Sequence, residues 1–474
     1  MKSLCPLCLC SEIIFSQARA SGMSHSAEFR DNLTACREDL YEIDPTPLHK
    51  MHCAEIIVRD KNGKLNRVVV TGMGVISPLG LDTHTTWQQM VNGESGVGRI
   101  TRFDASSLPT QIVAEVKGFD SSRYFDAREA RRIPLFSQYA IAAAHEALHS
   151  AGVDVDAEDH TRLGVELGSA LGGTGVVEEQ RVILEYKGAR HVNPALIPSL
   201  LINSAACSIA IQFGCQGIVS APAAACATGT MAIGEACRRL ALGEMDLMLA
   251  GGCESVITPL GITSFSRLGA STQRNDLLEQ ACAPFDANRD GTVVGEGAAV
   301  LVLETLEHAQ KRNAAILAEV VGYGYSNDAY HIVAPDPSGL GPARAMKNAL
   351  SDAELDPEQV DWICAHGTGT VLNDVSETRA IKMAFAEWAY RIPASSIKGA
   401  VGHMLGAAGA ISAAMAIKAL ESGVLPPTLN YRTPDPECDL DYVPNQSRRK
   451  DISHALVNSF GFGGQNACLV LRKW

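Results

Sequence analysis

Arg67-Val68-Val69-Val70-Thr71-Gly72-Met73-Gly74 reads as a buried strand running into a glycine turn, and the folded body of the chain begins there. Working outward, strands and helices alternate. Ser137–Ser150 predicts an alanine-rich helix, Leu163–Ser169 a strand, Cys226–Gly243 a helix and Leu247–Gly251 a buried strand. Val293–Leu303 predicts a long strand after the turn Asp290-Gly291. Ala318–Gly322, another strand into a glycine turn, opens a second half in the same style. It continues with a helix at Gly341–Ser351, a strand at Asp361–Ala365, a helix at Ala407–Glu421 and a closing strand at Ala467–Leu471. Such alternation predicts an α/β architecture with mostly parallel sheets, and the two successive halves point to duplication. The division expected is a leader at 1–64, a first half at 65–312 and a second at 313–474.

The composition suits a compact enzyme. Hydrophobic residues make up 46% and charged residues 20% of the 474, while aromatics are only 5% and glycines number 42. Packing must therefore rely on small residues and close backbone contacts rather than large rings. A net charge of −13 argues against nucleic acid as a partner. No apolar stretch is long enough to insert in a membrane, so a soluble protein is expected. The 14 cysteines are irregularly spaced in a chain too large to need disulfide staples, and read as mostly reduced and buried.

Residues 1–64 lack clean periodicity and hold five of the cysteines. Met1–Ala20 carries Lys2, the partly apolar Leu4–Phe15 and a small-x-small end at Ala18-Arg19-Ala20, with Glu12 interrupting the apolar run. A targeting or poorly ordered leader is the reading, with a plastid or mitochondrion as destination or a cytoplasmic extension as the alternative. Cys5, Cys8 and Cys10 have no second cysteine pair at zinc-finger spacing, so no metal is expected.

Three separated segments carry the chemistry. Cys226, in Ala223-Ala224-Ala225-Cys226-Ala227-Thr228-Gly229-Thr230, sits at a strand-to-helix turn among small residues. The positive end of a helix dipole there lowers a thiol pKa, which suits a nucleophile; a buried structural cysteine is the alternative. His366 begins His366-Gly367-Thr368-Gly369-Thr370 directly after the apolar strand Trp362-Ile363-Cys364-Ala365, where α/β proteins place site residues. His403 and Lys398 are the only titratable side chains in the glycine- and alanine-rich run from Lys398 to Gly409. Near the C-terminus, Asn458-Ser459-Phe460-Gly461-Phe462-Gly463-Gly464 reads either as a hairpin loop or as a mobile gate.

Together these segments resemble those of the elongating β-ketoacyl-acyl carrier protein synthases, most closely the type II enzymes, from about Arg67 to Trp474. Pro284-Phe285-Asp286, Gly295-Glu296-Gly297-Ala298 and Asp328-Ala329-Tyr330-His331 add to the match. The resemblance implies the thiolase fold, two similar halves in a five-layered αβαβα arrangement, and a homodimer. It implies that Cys226 carries the acyl chain and that His366 and His403 stabilise the enolate formed when malonyl-acyl carrier protein loses CO2. It also makes the backbone N–H groups of Cys226 and Phe462 the oxyanion hole. By the same resemblance Lys398 supports His403, and Glu377 belongs to the polar network behind the histidines. Thr368, Thr370 and Phe460 meet the substrate arm, and Leu171 matches an acyl-pocket gate. Arg128, Arg131 and Arg132 form a basic cluster suited to docking an acidic carrier protein. No cofactor is implied beyond the phosphopantetheine that arrives on the carrier.

The chain departs from the family pattern at Gly399, where serine is common, and at Gln465, where threonine is common. A thiolase would need a second reactive cysteine where Phe462 stands. The initiating synthases place asparagine where His403 stands. A chain-length-factor-like partner lacks the nucleophile, and a stand-alone polyketide ketosynthase remains the rival reading.

Overall fold

β1 (Val68–Ile76) is buried at every position and lies in the middle of a ten-stranded sheet. The computed structural model describes residues 65–474, all within one compact unit. The expectations for the leader, including the cysteine cluster at 5–10, fall outside those residues.

The first half supplies β1, helix α1 (Leu135–Ala151), β2 (Leu163–Gly168), β3 (Val219–Ser220), α2 (Thr228–Ala241), β4 (Leu247–Glu254) and β5 (Gly297–Thr305). The second supplies β6 (Ala318–Asn327), α3 (Leu340–Asp352), β7 (Trp362–Cys364), α4 (Val371–Phe385), β8 (Ala394–Ser395), α5 (Ala408–Ser422), β9 (His454–Gly461) and β10 (Gln465–Lys473). Across the sheet the order is β8-β7-β9-β10-β6-β1-β5-β4-β2-β3. Outward from the β1–β6 boundary, each half therefore places its first, fifth, fourth, second and third strands in the same permutation. That is the duplication expected from sequence, now visible as topology.

The sheet is not mostly parallel. β2 pairs in parallel with β3 and β4, and β7 with β8 and β9, but β5 and β10 run antiparallel to both their neighbours. A β/α rhythm along the chain does not encode direction for the closing strand of each half. β10 follows β9 through a tight hairpin, which only antiparallel strands can share.

The glycines after Val70 and Val321 also differ from the expectation of turns. Gly72 and Gly74 lie inside β1, and Gly322 and Gly324 inside β6. A Cβ at Gly72 or Gly74 would run into the Ala147 or Ala143 carbonyl of α1. At Gly322 or Gly324 it would meet the Ala349 or Ala345 carbonyl of α3. Glycine on the strand against alanine on the helix lets each outer helix seat directly on its sheet. α2 and α5 pack on each other and on β4 and β9 between the two sheet halves, giving five layers, αβαβα. The buried alanines Ala410, Ala413, Ala414 and Ala416 leave room for that central layer.

One predicted strand is shorter. β5 starts at Gly297, while Val293–Glu296 leaves the sheet to bridge His403 and Ala114. His403 N–H donates to the Val293 carbonyl (2.7 Å) and Gly295 N–H to the His403 carbonyl (2.9 Å), so this segment fixes the His403 backbone. Among the described residues no helix is long and apolar enough to cross a membrane, and nine cysteines are unpaired.

Candidate active site

The α2 elbow begins at Ala225, whose φ of +48° is a left-handed conformation rare for a side chain with a Cβ. Thr228 Oγ1 closes it, accepting from Ala224 N–H (2.9 Å) and donating to the Ala225 carbonyl (2.7 Å). Cys226 is thereby turned towards a cavity of about 310 Å³ that His366, His403, Thr368, Thr370, Phe460 and Phe462 also line. The backbone N–H groups of Phe462 and Cys226 itself are directed at the thiol.

The resting thiol is not the low-pKa group expected from its place before a helix. Burial pushes Cys226 up to about 12, the Glu254 charge adds to the rise, and the Lys398 charge and the two N–H groups only partly oppose it. Desolvation outweighs the helix terminus because the sulfur lies within the molecule, where a thiolate loses its hydration.

The imidazoles of His366 and His403 stand edge to face, ring centres 5.4 Å apart. Burial, and then the Lys398 charge, holds both well below the usual histidine range, so each is neutral and carries one proton. The position of that proton follows from the partner of Nδ1. Leu405 N–H donates to His403 Nδ1 (3.3 Å), which leaves the proton on Nε2. Lys398 Nζ lies 3.4 Å from His366 Nδ1 and also donates to the His366 carbonyl, with the same result. The ammonium is therefore bonded to His366, not to His403; it reaches His403 only through its charge.

The His366 loop is held from below by two buried carboxylates. Glu377 accepts from His366 N–H (2.8 Å) and Gly367 N–H (2.7 Å), and from Asn458 Nδ2 (3.1 Å). Asp374 accepts from Thr368 N–H (3.1 Å), Gly369 N–H (3.3 Å) and Phe285 N–H (2.7 Å), with the buried Arg289 guanidinium 3.5 Å away. Phe460 packs against the His366 ring at 5.6 Å. Gly463 and Gly464, at φ +78° and +73°, turn β9 into β10. That loop is tied to its neighbour by Gly463 N–H to the Ile332 carbonyl and by Asp328 N–H to the Gly464 carbonyl.

A buried cysteine, two neutral imidazoles and two converging amides thus share one cavity, with a lysine bonded to one imidazole behind its wall. The chain matches the family model described as beta-ketoacyl synthase, N-terminal domain, over residues 65–309, and that of the C-terminal domain over 317–432. The chain belongs to the beta-ketoacyl synthase family. It is 46% identical over 407 residues to the 3-oxoacyl-[acyl-carrier-protein] synthase 2 of Coxiella burnetii (strain RSA 493 / Nine Mile phase I), covering 86% of this chain and 98% of that one. A beta-ketoacyl synthase from Burkholderia phymatum STM815 superposes with a TM-score of 0.81 at 36% identity, over 86% of this chain and 100% of that chain. A type II polyketide ketosynthase, solved in complex with its acyl-carrier protein and bound to a hexaketide, superposes at 0.79 and 36% identity, over 87% and 100%.

Not every residue singled out in this synthase reaches the cavity. Glu377 is fully buried behind His366 and holds backbone, so it is a positioning residue rather than a substrate contact. Leu171 is 38% exposed on the loop after β2 and does not line the Cys226 cavity. Arg128 lies in the short helix Ala127–Ala130, and Arg131 and Arg132 follow it; all three are exposed. Arg131 and Arg132 border a separate cavity of about 450 Å³ with Gly172 and Gly173. Sequence reasoning missed Asp374, Asn458, Leu405 and Glu254. The first three act through backbone or through another side chain, which leaves no motif; Glu254 follows an apolar strand and resembles any strand-end carboxylate.

Proposed function

We propose that this chain is a 3-oxoacyl-[acyl-carrier-protein] synthase of fatty acid elongation, an acyltransferase that condenses an acyl thioester with malonyl-acyl carrier protein. The observation that carries the reading is one cavity presenting the Cys226 thiol, two amides aimed at it and two imidazoles with Nε2–H free. Cys226 sulfur attacks the acyl carbonyl, the amides of Cys226 and Phe462 hold the oxyanion, and the thiol proton ends on the departing carrier thiol. A thiol resting near 12 makes that proton transfer part of the attack rather than a prior ionisation.

Malonyl thioester then loses CO2. Its electron pair moves onto the thioester oxygen, where His366 and His403 donate through Nε2–H. A charged imidazolium is not required, because the enolate needs donors fixed in place in a dry site. The carbanion attacks the acyl-cysteine, the C–S bond breaks and one proton returns to Cys226. Thr368 and Thr370, their hydroxyls 2.9 Å apart at the cavity wall, offer hydrogen bonds to the phosphopantetheine arm. No other cofactor enters the reaction.

The 46% identity to a 3-oxoacyl-[acyl-carrier-protein] synthase 2 over 86% of this chain supports fatty acid over polyketide substrates. Acyl carrier protein is the partner, and the exposed arginines at 128, 131 and 132 are its docking cluster. A homodimer is supported by β3 at the open edge of the sheet and by exposed Ile197 and Ile211 on the helices Leu196–Leu200 and Ser204–Phe213, with exposed Leu201 just after the first of them. Residues 1–64 serve as an organelle address, which fusion to a fluorescent reporter tests.

The decisive experiment is intact-mass analysis after incubation with a series of acyl-carrier proteins, followed by malonyl-carrier protein. An acyl adduct that maps to Cys226 and is discharged with CO2 release is expected. A chain that takes no acyl group from any carrier is not a synthase.

A further inference from the structure

Glu254 closes β4, is fully buried, and has no part in the steps above. Its Oε2 accepts from Ala170 N–H (2.9 Å) and Gly406 N–H (3.2 Å), and its Oε1 from Ser169 Oγ (3.0 Å). Ser169 Oγ in turn accepts from Gly172 N–H (2.9 Å). One carboxylate therefore joins the Ser169–Gly172 loop of the first half to the Leu405–Ala407 turn of the second. The two backbones meet so closely that a Cβ on Gly406 would lie 2.5 Å from Ala170 N and 3.0 Å from Glu254 Oε2.

The turn it holds is strained. Leu405 has φ +46°, a conformation that persists only where surrounding contacts over-determine it. The same Leu405 supplies the N–H that reaches His403 Nδ1. We propose that Glu254 is a positioning residue: its carboxylate clamps the Leu405–Gly406 turn against the Ser169–Gly172 loop, so that Leu405 N–H stays on His403 Nδ1 and the single His403 proton stays on Nε2, facing the cavity. The proposal rests on the reading of His403 as an enolate donor.

The clamp holds in either charge state of the carboxyl. Burial raises Glu254 to about 7 against the pull of its hydrogen bonds. A protonated Glu254 donates from Oε1 to Ser169 Oγ while Oε2 still accepts both amides, and a glutamine at this position does the same. Geometry rather than charge is thus the property to test.

Three variants and two readouts separate the possibilities. In Glu254→Ala, malonyl-carrier decarboxylation is expected to lose about 30–100-fold in kcat, with KM within about twofold and Cys226 alkylation by iodoacetamide no slower than in wild type, since the Glu254 charge only raises the thiol. Glu254→Gln should keep decarboxylation within about threefold. Gly406→Ala opens the same joint from the other side and should behave as Glu254→Ala, which keeps the test intact if that variant does not fold. The second readout, the ¹⁵N spectrum of histidine-labelled protein, needs no turnover. It should show His403 protonated at Nε2 in wild type and Glu254→Gln, and a mixture of tautomers in Glu254→Ala and Gly406→Ala. An unchanged His403 signal in both disruptive variants, or a Glu254→Gln loss as deep as that of Glu254→Ala, overturns the proposal. A wild type that does not decarboxylate malonyl carrier overturns the enzymatic reading instead, and the spectrum still decides the clamp.

Discussion

The two halves of the molecule meet at two crossings that are built alike and used differently. In each, a helix elbow with a left-handed non-glycine residue, Ala225 or Leu405, faces the end of the other half's central strand. At one crossing the elbow carries Cys226 and the strand ends in Gly461. At the other the elbow carries Gly406 and the strand ends in Glu254. A Cβ on Gly461 would lie 2.6 Å from the Ala224 carbonyl and 2.9 Å from Cys226 N, as one on Gly406 would press on Ala170 and Glu254. Each crossing has room for one side chain only. One crossing spends that room on a thiol and the other on a carboxylate, both from the first half, so duplication supplied the frame and the place of the glycine divided the labour.

The comparison breaks most sharply at the nucleophile. Cys226→Ala should abolish the acyl adduct by mass spectrometry and lower condensation by at least about 10³-fold while the circular dichroism spectrum stays native. His403→Ala, on the other side, should slow malonyl decarboxylation by about 10²–10³-fold and acyl transfer far less. Equal losses in both steps would erase the division between the halves. Because burial and Lys398 keep both imidazoles neutral until pH falls well below 6.5, wild-type decarboxylation should stay flat from pH 8 to pH 6.5. A drop in rate through pH 6.5 would mean that one imidazole titrates normally.

Gly461→Ala tests whether the crossing admits a second side chain. Crowding at Cys226 N should reduce acylation by about 10–100-fold, with overpacking costing about 1–3 kcal/mol in denaturant unfolding. Gly72→Ala, far from the cavity, should cost a similar stability but leave kcat per folded molecule unchanged.

The gentlest test lies where the halves carry opposite charges at matching strand positions, Glu304 in β5 and Arg472 in β10. Burial alone would raise Glu304, but hydrogen bonds from Arg312, His308 and Thr71 hold it at about 2. Its contribution is therefore present above the ordinary carboxylate range near 4.5 and lost as pH falls towards 2. His308, raised above 6.5 first by its bond to Glu304, contributes fully below 6.5 and loses that contribution as pH climbs through its raised value. Glu304→Gln should thus lower stability by on the order of 2–3 kcal/mol, most visibly in Tm between about pH 5 and 6.5 and hardly at all near pH 2. A constant Tm difference across that range would remove the network from the account.

Much of this was legible along the chain. The strand at Val68 was legible because its β-branched run leaves no polar face, the one at Ala318 because paired valines run into a glycine, and the candidate site segments because small residues crowd Cys226, His366 and His403. Strand direction was not legible, since the antiparallel β5 and β10 follow no different residue pattern from the strands that pair in parallel, such as β2 and β4. Nor were the glycines of β1 and β6, which read as turns until α1 and α3 are laid against them.

The sequence by itself determined an α/β chain of two similar halves with a cysteine, two histidines and a lysine in glycine-rich settings, because residue types and periods are local properties. Only the tertiary structure decided that Lys398 bonds His366, that the Cys226 thiol rests protonated, and that Glu254 faces Gly406. Those depend on burial and on distances between residues from about 30 to more than 170 positions apart. Desolvation and hydrogen-bond geometry exist only once the halves have closed on each other.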